Sequence, residues 1–133
     1  MEDSEQRSAV EATIRAFYTA FDNGFVGPPD FATDDWVHIN PFGGIDWGLE
    51  ATLSTVREVH KGMLKGVTDT PENIEIRFVT PNVAVGTVTS TMSEWTGSDG
   101  QVRPSSAQVR TFVIVARNGK WLITQDQNTF ARR

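Results

Sequence analysis

Hydrophobic residues recur at helical spacing in two segments in the first half of the chain. The first segment carries Val10, Ile14, Phe17, Tyr18 and Phe21 and is followed by Asn23-Gly24. The second carries Leu49, Leu53, Val56, His60 and Met63, with Gly62 and Gly66 as candidate end points. Each set lies on one side of a helix, and glycine after the last turn is typical of a helix end. The pattern therefore predicts two amphipathic helices.

From residue 73 onward the hydrophobic pattern changes to a period of two. The segments 73–79, 83–95, 107–116 and 120–128 alternate in this way and are rich in Val, Ile and Thr, which predicts four strands. Asn118-Gly119 predicts a two-residue hairpin turn between the last two strands. The only long loop, residues 96–106, is expected to be a mobile hairpin end.

The two-residue turn also predicts the register of the last hairpin. It places Phe112 opposite Gln125 and Arg110 opposite Gln127, on one face with Ile114, Ile123 and Trp121. The other face then carries Val109, Thr111, Val113, Val115, Leu122, Thr124 and Asp126. The polar end of the first face is either open to water or lines a cavity. Arg110 is expected to pair with an acidic or amide group that faces the cavity, with Gln127, Glu75 and Glu94 as possible partners, since an unpaired buried guanidinium is costly.

A short polar strand precedes the second helix. In the segment 36–40, Trp36, His38 and Asn40 alternate with apolar residues and so point to one face. Pro41 stops strand pairing and Gly43-Gly44 permits a sharp turn before the helix. This strand end is therefore where a pocket would have its polar groups.

The order of elements and the composition restrict the class of protein. Helix, short strand, helix and then four strands indicate an α+β domain in which a strongly bent, mostly antiparallel sheet wraps around the helices. A length of 133 residues allows one domain, 1–133. The net charge of -5 argues against nucleic-acid binding, and the absence of cysteine excludes disulfides and thiolate metal sites. Without an apolar segment long enough for a signal peptide or a membrane span, a cytoplasmic protein that does not bind membranes is expected.

At this point the sequence resembles the nuclear transport factor 2-like, or SnoaL-like, superfamily of cone-shaped domains. The stretch His-Ile-Asn-Pro-Phe-Gly-Gly, with Gly-Leu-Glu-Ala after it, and the ending Gly-Lys-Trp-Leu-Ile-Thr-Gln-Asp-Gln-Asn-Thr resemble its SgcJ/EcaC-type subfamily. The resemblance implies a cone-shaped α+β domain over nearly the whole chain. It also implies a setting in enediyne or related natural-product biosynthesis.

Two catalytic positions of the related ketosteroid isomerases are not matched. Those enzymes carry a general-base aspartate in an Asp-Pro-hydrophobic-Gly segment, where this chain has Asn40-Pro41-Phe42-Gly43. An amide cannot take up a proton near neutral pH, although Asn40 could still orient a carbonyl group or a water molecule. Their oxyanion tyrosine falls on Phe17, with Tyr18 one position away.

Three functions remain open from the sequence. The first is an acid–base enzyme without a cofactor or a metal, acting on a small hydrophobic molecule with His38 and His60 as its catalytic residues. Both imidazoles are expected to face one cavity and at least one to be neutral at pH 7, although His60 could instead be a core residue. The expected substrate-binding residues are Phe17, Tyr18, Phe21, Trp36, Asn40, Phe42, Trp47, Arg110, Phe112, Gln125 and Gln127.

The other two functions need no chemistry. One is a binding or accessory protein that holds a hydrophobic metabolite in the same pocket. The other is a dimerisation module. In each case a homodimer is expected through the valine and threonine face, because Val109, Val113, Val115 and Leu122 would otherwise expose a contiguous apolar patch.

Overall fold

A computed structural model describes residues 2–131, with side chains from Ser4 to Ala131. Two helices and eight strands make up this part of the chain. In chain order they are α1 (Glu2–Asp22), β1 (Ala32–Ile39), β2 (Ile45–Trp47), α2 (Leu49–Lys61), β3 (Asp69–Thr80), β4 (Val83–Met92), β5 (Trp95–Thr96), β6 (Val102–Arg103), β7 (Ser106–Arg117) and β8 (Lys120–Phe130).

Six of the strands form one curved sheet that holds the helices against its inner face. Their order is β2-β1-β8-β7-β4-β3, with β1 and β8 parallel and every other neighbouring pair antiparallel. Helix α1 packs on β3 and β8, while α2 packs on β1 and β2. The α+β cone expected from the sequence is confirmed.

Both helices follow the predicted apolar spacing. Val10, Ile14, Phe17, Tyr18 and Phe21 are all buried on α1, which ends at Asp22 before Gly24 adopts a positive φ of 71°. Leu53, Val56 and His60 are buried on α2, and Gly62 follows its last residue. Each helix is stabilised mainly by this buried stripe, because short helices are marginal in water on their own.

A β-bulge makes the predicted register of the last hairpin wrong beyond residue 123. The turn does place Arg117 opposite Lys120 and Ile114 opposite Ile123, as expected. Thr124 is then an extra residue, so that Phe112 lies opposite Asp126 and Arg110 opposite Asn128. Because successive side chains of a strand point to opposite faces, a one-residue shift exchanges the two faces of β8.

The bulge is held by a small polar cluster at the start of β1. The Thr33 hydroxyl donates to the Asp35 carboxylate at 2.6 Å, and the Thr124 hydroxyl lies 3.2 Å from that of Thr33 and 3.3 Å from the same carboxylate. The register between β1 and β8 shifts at the same place. Nothing in the hydrophobic pattern of β8 indicates this contact with a distant strand.

Two other features complete the fold. Strand β2, which the sequence did not predict, pairs with β1 and places Trp47 on the surface. Residues 95–103 form a short hairpin in which Trp95 pairs with Arg103 and Thr96 with Val102. Among the described residues, no helix is both long enough and apolar enough to cross a membrane.

Candidate functional site

A cavity of about 130 Å³ opens between the helices and the inner face of the sheet. Its size is close to the ~150 Å³ of an engineered cavity that holds benzene, so it has room for one six-membered ring. His38 enters it from β1 and His60 from α2. Both imidazoles therefore line one cavity, as the sequence predicted.

His38 is hydrogen-bonded to a buried carboxylate. Its Nδ1 atom lies 3.0 Å from both carboxylate oxygens of Asp126 on β8. An ionised carboxylate only accepts hydrogen bonds, so Nδ1 carries the proton. The second ring nitrogen, Nε2, has no partner among the described residues, and the side chain retains 11% exposure on the cavity wall. In its neutral form, His38 would therefore have a nitrogen lone pair on Nε2 that no protein group uses.

Three side chains hold Asp126 in its ionised form. Besides His38, the Trp36 Nε1 donates at 2.8 Å and the Arg110 guanidinium at 2.5 Å. Complete burial alone would raise the pKa of this carboxyl, but its interactions with His38, Arg110 and Trp36 lower the pKa below the ordinary aspartate value. Asp126 thus remains a hydrogen-bond acceptor that orients His38.

A second polar cluster lies behind Arg110. Asp69 is 4.0 Å from the guanidinium, and neither of its oxygens has a hydrogen-bond partner among the described residues. The neighbouring Tyr18 and Ser90 hydroxyls are also buried and unpaired. Burial raises the pKa of the Asp69 carboxyl, although the Ser90 hydroxyl, which lies close without the alignment of a hydrogen bond, and Arg110 both lower it. Burial likewise raises the pKa of Tyr18 to about 12.

Arg110 therefore connects two buried carboxyl groups. It is buried as expected, but its partners are Asp126 and Asp69 rather than Gln127, Glu75 or Glu94. Burial would lower the pKa of its guanidinium, and the charge of Asp126 raises it above the ordinary value. The guanidinium also lies 4.7 Å from the centre of the Phe17 ring, so its remaining surface is covered by an aromatic face.

His60 has a different environment from His38. Its ring packs edge-on against Phe21 at 4.4 Å and Phe25 at 5.3 Å between ring centres. Burial, with a smaller effect of the Arg110 charge, lowers the pKa of His60 to about 4. His60 is therefore neutral at pH 7, which makes it a hydrogen-bonding group and a poor base.

Asn40 stabilises the loop at the cavity mouth. Its side-chain oxygen accepts hydrogen bonds from the backbone nitrogens of Phe42 at 2.8 Å and Gly44 at 3.1 Å. The side-chain amide also occupies the space that a Cβ at Gly44 would need, 2.5 Å away. Asn40 lines the cavity, but its acceptor oxygen is committed to the turn.

Two more amides complete the polar end of the cavity. Asn128 donates to the Gln108 side-chain oxygen at 2.8 Å, and Gln108 in turn lies 3.4 Å from the Met92 sulfur. Both amides are buried on neighbouring strands. The opposite wall is apolar and consists of Phe17, Phe21, Phe25, Val56, Val59 and Leu64.

The structure brings seven of the predicted site residues to the cavity wall and leaves six elsewhere. Those on the wall are Phe17, Phe21, His38, Asn40, Phe42, His60 and Arg110. Trp36, Tyr18 and Phe112 are buried behind it, so they support the wall instead of lining the cavity. Trp47 is 69% exposed on β2, and Gln125 and Gln127 are exposed on the outer face because of the bulge. These six residues are therefore not in a position to contact a ligand inside the cavity.

Asp126 is the main residue that the sequence did not predict for the site, together with Gln108 and Asn128. The need of a buried Arg110 for a partner was a signal for it, because Asp126 is the only acidic residue in β8, the strand next to that of Arg110. The sequence pattern alone placed Asp126 on the outer face, and only the bulge in β8 brings it to the side of Arg110. No group of three or more His, Cys, Asp or Glu side chains in the part of the chain described is placed to hold a metal ion.

Comparison with solved structures places this fold among known ones. An uncharacterized protein with a cystatin-like fold from Caulobacter vibrioides has a TM-score of 0.87 and 24% identity, over 96% of this chain and 91% of that one. A hexachlorocyclohexane dehydrochlorinase, LinA-type3 from Novosphingobium barchaimii, has a TM-score of 0.84 and 17% identity over 98% and 90%. A candidate scytalone dehydratase from Novosphingobium aromaticivorans has 0.79 and 15% over 98% and 87%.

These similarities show the fold. The chain has the cystatin-like, nuclear transport factor 2-like cone architecture. No protein-family model matches the sequence, and no curated protein matches it either. The resemblance to the SgcJ/EcaC-type subfamily stays a prediction from the motifs.

Proposed function

We propose that this protein is a cofactor-independent acid–base enzyme that removes a proton from a carbon atom of a small, mainly apolar, cyclic molecule. The observation that supports this most directly is the His38–Asp126 pair, in which His38 lines a ring-sized cavity and uses only its Nδ1 atom to bind Asp126. An isomerisation or an elimination begins with such a proton transfer. From the subfamily resemblance, we further propose that the substrate belongs to polyketide or enediyne-like metabolism.

The roles of the two histidines differ in this proposal. His38 Nε2 accepts the proton, and Asp126 stabilises the imidazolium that forms because its carboxylate stays ionised. His60, neutral with a pKa of about 4, donates a hydrogen bond to a substrate oxygen or leaving group that gains negative charge. The apolar wall excludes water and strengthens both interactions.

Two of the similar structures agree with a reaction of this kind. Their names describe a dehydratase and a dehydrochlorinase. Removing water or hydrogen chloride from a carbon skeleton requires a base for the proton, which is the role proposed here for His38. The sequence identities of 15% and 17% leave the substrate itself open.

A general-base probe tests the proposal without knowledge of the natural substrate. In 5-nitrobenzisoxazole, the reacting carbon 3 lies in the small isoxazole ring, which can enter the cavity while the nitrobenzene part extends toward its opening. A base takes the proton on carbon 3 while the nitrogen–oxygen bond breaks, giving a coloured cyanonitrophenolate. We expect the wild-type protein to accelerate this ring opening and His38→Gln to lower the rate by roughly 10²-fold. Asp34→Asn, which changes an exposed carboxylate on the same strand, is the matched control and should leave the rate unchanged.

A non-catalytic binding protein is the alternative. The observation in its favour is that Asn40, at the position of the isomerase base, uses its oxygen to hold a loop. If the wild-type protein binds the probe without opening its ring, or if His38→Gln opens it at the wild-type rate, then the acid–base proposal fails. The binding function would then be the better description of the cavity.

A further inference from the structure

A groove under the β5–β6 hairpin lies next to the cavity. Four apolar side chains line both spaces: Phe42, Met63, Trp95 and Phe130. We name these four residues the mouth. Beyond them, Gly97, Ser98, Arg103 and Pro104 line a groove of about 710 Å³ that is open to solvent.

The mouth exposes unusually large apolar side chains. Phe42 is 70% exposed, Phe130 38% and Met63 37%. Phe42 and Phe130 pack against each other with their ring centres 5.9 Å apart, so they form one surface. A contiguous exposed patch next to a cavity commonly marks a contact surface for a ligand.

The loop that carries Phe42 is held in place. Two backbone nitrogens of this loop, those of Phe42 and Gly44, donate to the Asn40 side chain, and the backbone nitrogen of Asn40 donates to the Gly44 carbonyl at 3.0 Å. Phe42 is therefore presented to solvent by an ordered turn. An aromatic ring fixed in this way binds a ligand with little loss of conformational entropy.

The groove offers no free charge to a ligand. Arg103 is the one charged residue among those that line it, and its guanidinium donates to Asp99 at 2.8 Å while lying 6.0 Å from the centre of the Trp95 ring. With its charge paired, Arg103 extends the flat surface of Trp95. The groove therefore fits an uncharged, flat group better than an anion.

We infer that the substrate has two parts: a single ring that enters the cavity and an uncharged aromatic extension that leaves through the mouth into the groove. The cavity limits the first part, since about 130 Å³ accepts only one six-membered ring. The mouth defines the second, because its four apolar side chains line both the cavity and the groove. This inference rests on the proposed function for the chemistry of the ring that faces His38.

Three cyclic ketones distinguish the two parts in binding measurements. Cyclohexanone fills the cavity alone, 4-phenylcyclohexanone adds an aromatic group, and 4-oxocyclohexanecarboxylate adds a charged one. We expect 4-phenylcyclohexanone to bind at least about 10-fold more tightly than cyclohexanone, since burying much of a phenyl ring is worth that much in affinity. The carboxylate should bind no more tightly than cyclohexanone.

Variants at the mouth test where the phenyl group lies. Phe42→Ala and Phe130→Ala should each reduce the ratio of the phenyl ketone affinity to the cyclohexanone affinity to about 3 or less. Trp47→Ala removes an exposed aromatic residue outside both spaces and should keep the wild-type ratio. All three positions are exposed enough for the variants to fold, which circular dichroism can verify.

The outcomes separate this inference from the proposed function. Equal affinities for the three ketones, tighter binding of the carboxylate, no binding of any ketone, or an unchanged ratio in both mouth variants would each overturn the two-part substrate. A different measurement would show failure of the acid–base proposal. In that case the wild-type protein would bind 4-phenylcyclohexanone in heavy water but would not catalyse the exchange of the hydrogens next to the ketone group for deuterium.

Discussion

His38 Nδ1 lies 3.0 Å from both carboxylate oxygens of Asp126, although 88 positions separate the two residues in the chain. The contact exists because β1 and β8 run parallel with His38 and Asp126 directly opposite each other. It combines a histidine at the cavity wall with a carboxylate that is completely buried. This arrangement fixes the ring orientation and leaves the second nitrogen available.

We predict that Asp126→Asn removes most of the general-base activity that is proposed for His38. An asparagine can turn its NH₂ group toward His38 Nδ1, which would move the ring proton to Nε2 and remove the lone pair from the cavity. The rate with a general-base substrate should fall by roughly 10²- to 10⁴-fold. Nitrogen-15 NMR of His38 checks the cause directly, since the protonated nitrogen should change from Nδ1 to Nε2.

The same variant should also be less stable. Arg110 is only 3% exposed in its side chain, and without Asp126 its charge would retain only the more distant Asp69. Losing one partner of a buried ion pair costs about 3–5 kcal/mol. Urea unfolding measures this, with Asp34→Asn as the surface control, and an unchanged midpoint would contradict the buried pairing.

We predict a loss of stability in acid that depends on His60. Its pKa is about 4 in the folded protein and 6.5 as the ordinary value. Between these values the unfolded chain binds a proton that the folded chain excludes, so the free energy of unfolding decreases as the pH falls from 6.5 to about 4. After allowing for partial solvent screening, the contribution is on the order of 1–3 kcal/mol.

His60→Gln isolates this contribution from that of other titrating groups. The difference between wild type and variant in the free energy of unfolding should be constant above pH 7 and should shift in favour of the variant as the pH falls below 6.5. Proton NMR titration of the imidazole provides the pKa independently. A His60 pKa near or above 6.5 would contradict the apolar environment of Phe21 and Phe25.

We predict that replacing two neighbouring amides on β8 changes stability to very different extents. Asn128→Ala removes the donor of the buried Gln108 oxygen and should destabilise the fold by about 1–3 kcal/mol. Gln127→Ala changes an exposed residue and should stay within about 0.5 kcal/mol of wild type. Urea unfolding of the two variants therefore tests the bulge at Thr124. The reverse order of stabilities would restore the unbulged register.

A homodimer through the outer face of the sheet remains a proposal. Val109, Val113, Val115 and Leu122 are only partly buried in the single chain, and Thr111 lies exposed among them. We expect sedimentation equilibrium at micromolar concentration to show a dimer, and Thr111→Lys to shift it toward the monomer because the charge would be buried at the contact. Gln101→Lys, on the exposed hairpin loop, is the control. A wild-type monomer would remove the proposal.

The sequence by itself determined the two helices, the main strands and much of the cavity. The apolar spacing of α1 and α2, the alternation at Trp36 and His38 and the Asn118-Gly119 turn are local patterns, and each element forms where these patterns predict it. Their combination was sufficient to place His38 and His60 at one cavity, because each shares a face of its element with large buried side chains.

Tertiary structure decided which charged groups meet. A bulge at Thr124, stabilised by Thr33 and Asp35 on a strand about ninety positions away, turns Asp126 inward and Gln125 outward. Such a bulge changes the face of every later side chain while leaving the composition of the strand unchanged, so a period of two cannot reveal it. The partner of His38, and with it the chemistry proposed for this cavity, is therefore set by a contact between distant strands.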